Sequence, residues 1–406
     1  VGLPLAVAAV NAGIAAVGFD VNAEYVERLR RGSSPIEDVS DDQLRAALDA
    51  GLRVTDEAAD LASMDMIVLC VPSPLGEHRE PDMSYIEAAA RTVSEVISPN
   101  TLVSLESTTY PGTTEDILIP AVESAGLTLD EDVWVAFSPE RVSPGDTMKT
   151  ADIPKLVGGV SEDSTRIATS AYSQLVATVH PVSSAGVAEM AKLLENTYRA
   201  VNIAMANEMA QLAHELDVDI WEVIDAAATK PFGFQAFYPG PGVGGHCIPL
   251  DPQFLAWRAR EMRFAPRFID LAEQVNLQMP VYTANRIGEA LNSAGIAVNG
   301  ARVLGLGIAY KPDISDDRES ASIDVLQILA DRGAAVEVLD PVVGDERITH
   351  NGFVPSDGTG SYDIAVVLTD HAVIDLEAIA PRATVVFDAK GAFRKRGIEA
   401  ENVVVM

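Results

Sequence analysis

The chain keeps two rhythms. Short apolar runs that close in turn residues recur through its first part: "AAVGFD" (residues 15–20), "MIVLCVP" (66–72), "TLVSLEST" (101–108) and "VWVAFSPE" (133–140). Between them lie stretches such as "DQLRAALDAG" (42–51), with apolar residues every three or four positions. Strands that alternate with helices predict βαβ units and a parallel sheet. The rhythm changes near residue 184. From there to 216 the pattern is helical, without Pro and with Gly186 as its one glycine. A helix of that length, apolar around much of its circumference, is buried between domains or subunits. More helices follow to about residue 294, broken by a Gly- and Pro-rich stretch. Near Ala301 the first rhythm returns in "ARVLGLGIAY", "AAVEVLDP", "DIAVVLTD" and "ATVVFDA".

The predicted fold class is therefore α/β, with two Rossmann-like domains joined by a central helical domain that carries one long helix. The boundaries fall at 1–180, 181–296 and 297–406. A length of 406 residues accommodates two or three domains. The formal charge of -31 repels nucleic acid and anionic membrane surfaces, so an anionic ligand needs a local cluster of cations or N–H groups. The acids are scattered, which reads as a solubility device. No apolar run reaches the ~18 residues of a membrane span. Two cysteines far apart make no disulfide framework, and six histidines make a Cys/His zinc site a poor expectation. Reduced thiols fit a cytoplasmic protein.

The opening "VGLPLAVAAVNAGIAAVGFDVN" has the order of a dinucleotide unit: glycine turn, helix, strand, acid. Gly2 stands as the third glycine of a GxGxxG, and Asp20, 18 residues on, is placed for ribose hydroxyls. An acid there disfavours a 2′-phosphate, so NAD is expected over NADP. The first strand and two glycines are missing, and the first domain reads as truncated. "VLGLGIAYKP" (303–312) repeats the strand–glycine pattern, with Asp340 closing the next strand. Two such units imply two nucleotide-type ligands, or merely two tight turns.

"GPGVGGHCIPLDP" (240–252) holds one of the two cysteines, Cys247, behind Gly244 and Gly245, with His246 beside it and Asp251 four residues on. The glycines let backbone and ligand approach closely. A thiolate is a strong nucleophile, and a carboxylate takes a proton from an alcohol or water. The other reading is a packed thiol, with Asp251 capping a helix that starts at Pro252. Cys70, inside an apolar strand, reads as packing. On the long helix Glu189, Lys192, Asn196 and Arg199 share one side. Lys192 and Asn196, one turn apart, make a reasonable oxyanion site; the other reading is a solvated polar stripe or a salt bridge between Glu189 and Lys192.

Taken in order, "VGLPLA", "VPSPL", "ESTTYPGTTE", "FSPERVSPG", "AEMAKLLENTYRAVN", "GPGVGGHCIPLDP" and "GIAYKPDISDDRES" resemble the UDP-glucose/GDP-mannose dehydrogenase family across the whole chain. With "ATKPFGF" they look most like the branch acting on UDP-N-acetylglucosamine, with the UDP-N-acetylmannosamine branch next. The resemblance implies oxidation of a sugar C6 alcohol to a carboxylate with two NAD, no metal, a UDP-sugar substrate, a homodimer, and a place in polysaccharide biosynthesis. It implies that Cys247 is the nucleophile, Lys192 and Asn196 the oxyanion site, Asp251 a base, and Glu140 the acid/base of thioester hydrolysis. Thr108 would hold a water or the nicotinamide region. Gly2, Asp20 and Pro72 would line the cofactor. Lys311 and Arg318 would reach cofactor or substrate phosphate. Arg141, Gly244, Gly245 and His246 would contact substrate, though His246 is as readily a loop-holding residue.

Three departures from the family pattern stand out. Leu250 replaces a lysine common in glucose-acting members, which fits an acetylated sugar. Pro144 stands where some members carry a second acid. The first strand is absent. Two rivals remain at this level: a one-step β-hydroxyacid dehydrogenase, which would lack the second βα domain and the cysteine segment, and a nucleotide-binding homologue that has lost catalysis.

Overall fold

The computed structural model describes residues 1–36, 38–76, 79–141, 152–245 and 247–406. They divide into two compact units, 1–195 with 253–264, and 196–252 with 265–406.

The first unit opens on α1 (Gly2–Asn11), then β1 (Val17–Phe19), α2 (Ala23–Arg30), α3 (Asp41–Asp49) and β2 (Arg53–Thr55). Asn22 and Ser40 cap α2 and α3, and Ser40 with Gln43 completes a reciprocal capping box. β1 and β2 form a parallel pair. Then come β3 (Met66–Leu69), α4 (Ser84–Val96), β4 (Thr101–Leu105), α5 (Ile119–Ser124), β5 (Val133–Phe137), β6 (Lys155–Gly159), α6 (Glu162–Tyr172) and β7 (Val179–Pro181). These strands lie in the order β3-β4-β5-β6-β7. The sheet is parallel as predicted except between β5 and β6, which pair antiparallel through Ala136 and Phe137. Its core is Ile67, Leu69, Val103, Leu105, Val135 and Phe137 under Ile86, Val93 and Leu118.

The long helix is α7 (Ala185–Glu215), within a residue of the limits its pattern sets. α8 (Ile220–Ala228), capped by Asp219, follows. The next helix departs from expectation: α9 (Cys247–Glu261) starts at Cys247 rather than after Asp251. Pro249 sits in the first turn, where the missing N–H has no intrahelical partner to lose. Pro252 lies inside the helix and costs one bond, without ending it. Asp251 is therefore no cap. α10 (Arg267–Ser293) completes the central helices.

The second βα series is β8 (Arg302–Leu306), α11 (Ala321–Asp331), β9 (Ala335–Leu339), α12 (Asp345–His350), β10 (Val354–Pro355), β11 (Tyr362–Val367), α13 (Leu376–Ile379), β12 (Ala383–Asp388), α14 (Ala392–Arg396) and β13 (Val403–Val405). All six strands are parallel, in the order β10-β9-β8-β11-β12-β13. The order reverses between β8 and β11, and open α/β sheets take ligands beyond the carboxyl ends of the strands at such a point. No described helix is long and apolar enough to cross a membrane.

Candidate active site

In the first unit Gly2 begins α1, and a Cβ there would sit 3.4 Å from the Cys70 Cβ. That distance is an ordinary van der Waals contact, so the start of the helix packs on the strand end without itself requiring a glycine. Asp20 follows β1 directly. One of its oxygens accepts the Asn22 N–H at 2.8 Å, which fixes the carboxylate at the strand end. Pro72 is exposed just past β3. These residues fit a nicotinamide dinucleotide whose ribose meets an acid.

The segment after β4 is pinned throughout. Ser107 donates to the Val71 carbonyl at 2.7 Å, Thr109 bonds Thr113, and Thr113 donates to the Tyr110 carbonyl at 2.8 Å. Thr108 alone is half-buried in a run of buried residues from Thr101 to Tyr110. Glu189 of α7 is fully buried and accepts from Gly112 N–H, Thr114 N–H and the Thr114 hydroxyl at 2.6, 2.9 and 2.7 Å. It anchors this segment, which the surface ion-pair reading did not foresee. Lys192, one turn further, is buried.

Glu140 and Arg141 follow β5. Arg141 is committed to Glu195 of α7 through two bonds of 2.6 and 3.2 Å, and to the Pro154 carbonyl at 2.9 Å. Its own N–H donates to Glu140 at 2.7 Å. Glu140, Arg141 and Lys155 line one pocket with Leu5, Pro139, Ile153, Pro154 and Val176. Behind it lies a buried network: Lys155 pairs with Glu106 at 2.9 Å, Tyr172 donates to Glu106 at 2.6 Å, and Ser104 meets Tyr172 at 2.8 Å. Burial first, then the charge of Glu106, pushes the Cys70 thiol far up, so it stays protonated and inert.

In the second unit Cys247 is the first residue of α9 and is exposed. A helix N-terminus favours the thiolate. Asp251, one turn on and 2% exposed, accepts from the Asn196 side-chain amide, itself buried on α7. The structure thus brings together three predicted residues. The glycines are required by geometry: Gly245 has φ +82°, and a Cβ there would lie 2.7 Å from the Tyr310 ring. A Cβ on Gly244 would meet the Glu319 carbonyl at 2.7 Å. Gly245 N–H donates to the Arg318 carbonyl at 3.2 Å, which ties this segment to the one after Lys311. The Arg318 side chain grips Asp316 at 2.6 Å. That bond above all, and in smaller part Tyr310 and Cys247, raises the Arg318 pKa. His246 and Pro144 lie outside the described residues.

Lys311 sits on the segment that leaves β8 at the sheet's reversal point. Asp340 does not offer its carboxylate to a ribose. It accepts from the N–H groups of Ile308, Ala309, Val342 and Val343 and faces His371 Nε2 at 3.2 Å. Burial raises the Asp340 pKa, but these bonds outweigh it and hold the group below its usual range. His371 Nδ1 accepts the Asp313 N–H at 2.9 Å, and its Nε2 faces Asp340.

Sequence reasoning missed Lys390, two residues past β12. Its chain is half-buried, and burial of the amine, then repulsion by Lys395, lowers its pKa to about 8. A Cβ on Gly240 would lie 3.0 Å from its Nζ. A cation just beyond a strand's carboxyl end was the available signal.

Residues 1–176 match the NAD binding domain of the UDP-glucose/GDP-mannose dehydrogenase family, 186–278 its central domain and 304–395 its UDP binding domain. A UDP-N-acetyl-D-mannosamine dehydrogenase of Pyrococcus horikoshii is 38% identical over 374 residues, 91% of this chain and 87% of that protein. The chain belongs to the UDP-glucose/GDP-mannose dehydrogenase family. A UDP-N-acetyl-D-glucosamine 6-dehydrogenase of Pseudomonas aeruginosa is 34% identical over 378 residues, 92% of this chain and 88% of that one. Among solved structures, the UDP-D-ManNAc dehydrogenase of Pyrococcus horikoshii superposes with a TM-score of 0.89 at 34% identity, over 100% of this chain and 96% of that one. The protein is an NAD-dependent nucleotide-sugar dehydrogenase, as its motifs implied.

Proposed function

We propose that the protein oxidises the C6 hydroxymethyl of a UDP-N-acetylhexosamine to the carboxylate, through a covalent adduct on Cys247. The observation that carries this reading is the exposed thiol at the start of α9, one turn before a buried Asp251 that accepts from Asn196. Bound NAD supplies the hydride acceptor for each of two oxidations, one NAD per oxidation. In the first, C6 loses a hydride and its hydroxyl a proton, which Asp251 draws off with a water. The Cys247 sulfur then adds to the aldehyde carbon, giving a thiohemiacetal. An aldehyde lacks the tetrahedral carbon needed to donate a second hydride; the adduct restores it. Loss of that hydride and of the hydroxyl proton leaves a thioester. Water, activated by Glu140, attacks the thioester and displaces the thiolate as the acid leaves. Lys192 and the Asn196 amide stabilise the oxygen as it gains negative charge. Lys311 and Arg318 supply the positive charge that a UDP group requires in a chain of net charge -31.

UDP-N-acetylglucosamine is the substrate we favour, on Leu250 and the "ATKPFGF" and "ESTTYPGTTE" segments. The second reading, the mannosamine epimer, is favoured by the Pyrococcus horikoshii relative. NADH release against a panel of UDP-sugars separates them, and two NADH per sugar marks the two-step reaction. Cys247→Ala keeps UDP-sugar binding and stops acid formation; normal uronate release from that variant sinks the mechanism.

We also propose a homodimer built on α7. Val187, Met190, Leu194, Tyr198, Met205, Met209, Leu212 and Leu216 are all exposed on the isolated chain at spacings of three, four and seven. An apolar stripe of that kind on one helix is characteristic of a subunit interface. Light scattering that returns the monomer mass of 43.1 kDa refutes it.

A further inference from the structure

We propose that Glu189 is a positioning residue for this dehydrogenase: its carboxylate clamps the segment after β4 to α7 and so fixes Thr108 relative to Lys192. The proposal rests on the role given to Lys192 in the mechanism proposed above and on the place near a water or the nicotinamide that the family resemblance implies for Thr108.

Glu189 has no exposed surface, yet both oxygens are engaged, one by Gly112 N–H at 2.6 Å and the other by Thr114 N–H and its hydroxyl at 2.9 and 2.7 Å. Two of the partners are backbone N–H donors and the third is a hydroxyl that donates here, so the carboxylate accepts at both oxygens. Burial first, and in smaller part the charge of Glu115, hold the pKa of this group above its ordinary value, and the three bonds offset only part of that shift. A buried carboxylate is a costly way to hold a loop. The N–H of Thr114, the first residue of a short helical turn leading into α5, and the Gly112 N–H before it both point at the carboxylate, which reduces that cost.

What the clamp holds is specific. Ser107 is tied to the Val71 carbonyl, and Thr109 to Thr113. Gly112 takes φ +101°, and a Cβ there would press to 3.3 Å from the Arg258 guanidinium. Tyr110 packs against Trp257 with ring centroids 5.0 Å apart and planes tilted by 39°. The residues flanking Thr108 are thus immobilised, and Thr108 is the one half-buried side chain between Thr101 and Tyr110. Lys192 follows Glu189 by three residues on the same helix, so loop and lysine share one anchor. A slip of about 1 Å between them costs up to ~100-fold in rate, because reacting groups tolerate little misplacement.

The test compares Glu189→Gln, Thr114→Val, the double variant and Lys192→Met in the full-length enzyme, by steady-state kinetics per folded molecule. Glu189→Gln is expected to lower kcat by at least ~10-fold, with the KM for NAD and for UDP-sugar within about twofold of the parent. Thr114→Val, which removes one of three bonds without touching charge, is expected to lower kcat by about threefold. Because both act through one clamp, the double variant is expected to match Glu189→Gln rather than multiply the two losses. A lowered thermal midpoint with parental kcat overturns the proposal, as do losses that multiply. If Glu189→Gln gives no folded protein, Thr114→Val decides alone, and parental kcat in it overturns the proposal. Lys192→Met keeps the two claims apart. An active Lys192→Met removes the assignment on which the proposal rests; an inactive one beside an unimpaired Glu189→Gln removes the proposal only.

Discussion

Replacing Lys155 by Met is expected to destabilise the first unit more than any surface charge change in this protein. Lys155 and Glu106 form a 2.9 Å pair with side-chain exposures of 9% and 0%. The second Glu106 oxygen accepts from Tyr172, which also meets Ser104. Methionine matches the lysine stem in length, so little packing is lost and the effect is electrostatic. Lys155→Met leaves the Glu106 carboxyl out of water with a single hydroxyl donor. Removing one partner of a buried pair costs about 3–5 kcal/mol, a large part of a typical 5–15 kcal/mol total. With a denaturant slope of about 3 kcal/mol per molar, the urea midpoint falls by about 1 M or more. The unfolding curve is to be read by circular dichroism at several wavelengths, so that a separate transition of one unit is seen. Adding Glu106→Gln to Lys155→Met removes the stranded charge, and should recover most of the lost stability, since a neutral pair is often no worse than an ionic one. A midpoint shift under about 0.3 M for Lys155→Met refutes the reasoning, as does a double variant that loses as much as the two single changes combined.

Three further outcomes follow from the same structure. Lys390 has its pKa lowered to about 8, so between about 8 and the ordinary 10.5 the unfolded chain binds the extra proton. Stability therefore rises with pH across that window and is lost as pH falls to about 8; Lys390→Met should flatten the profile by at most about 3 kcal/mol, and an unchanged slope in thermal midpoints would falsify the shift. Gly245→Ala forces an L-residue to φ +82° and drives the Tyr310 ring from a 2.7 Å contact, so it should cost at least about 1–2 kcal/mol and disturb the Lys311 segment; a parental melting point and parental turnover would speak against that geometry. The charge of -31 repels itself within the fold, so raising KCl from about 0.1 to about 1 M, which shortens the screening length from ~10 to ~3 Å, should raise the melting point, and a flat or falling response shows that self-repulsion does not limit the stability of the fold.

Periodicity alone marked the strands at 66–69, 101–105 and 133–137 and the long helix at 185–215, because alternation and the 3.6-residue repeat are local properties of a chain that buries one face. Motif order was equally legible, and it carried the family. The start of α9 was not. Two prolines and a run of glycines read as a loop through residue 252, but Pro249 falls where a helix needs no N–H, so Cys247 became a helix N-terminus and Asp251 an interior residue bonded to Asn196. The side chains that set local electrostatics were hidden for a related reason. Glu106 and Lys155 lie 49 residues apart, and Glu189 lies 75 residues from Thr114. Nothing in a linear pattern tells that such charges will be buried together, since the cost of burying a charge is offset only by partners that folding delivers. The sequence by itself determined the elements, their order and the chemistry available to the protein. Tertiary structure alone decided which acids were buried among donors, which cation lost its water, and that the Cys247 thiol stands at the start of a helix.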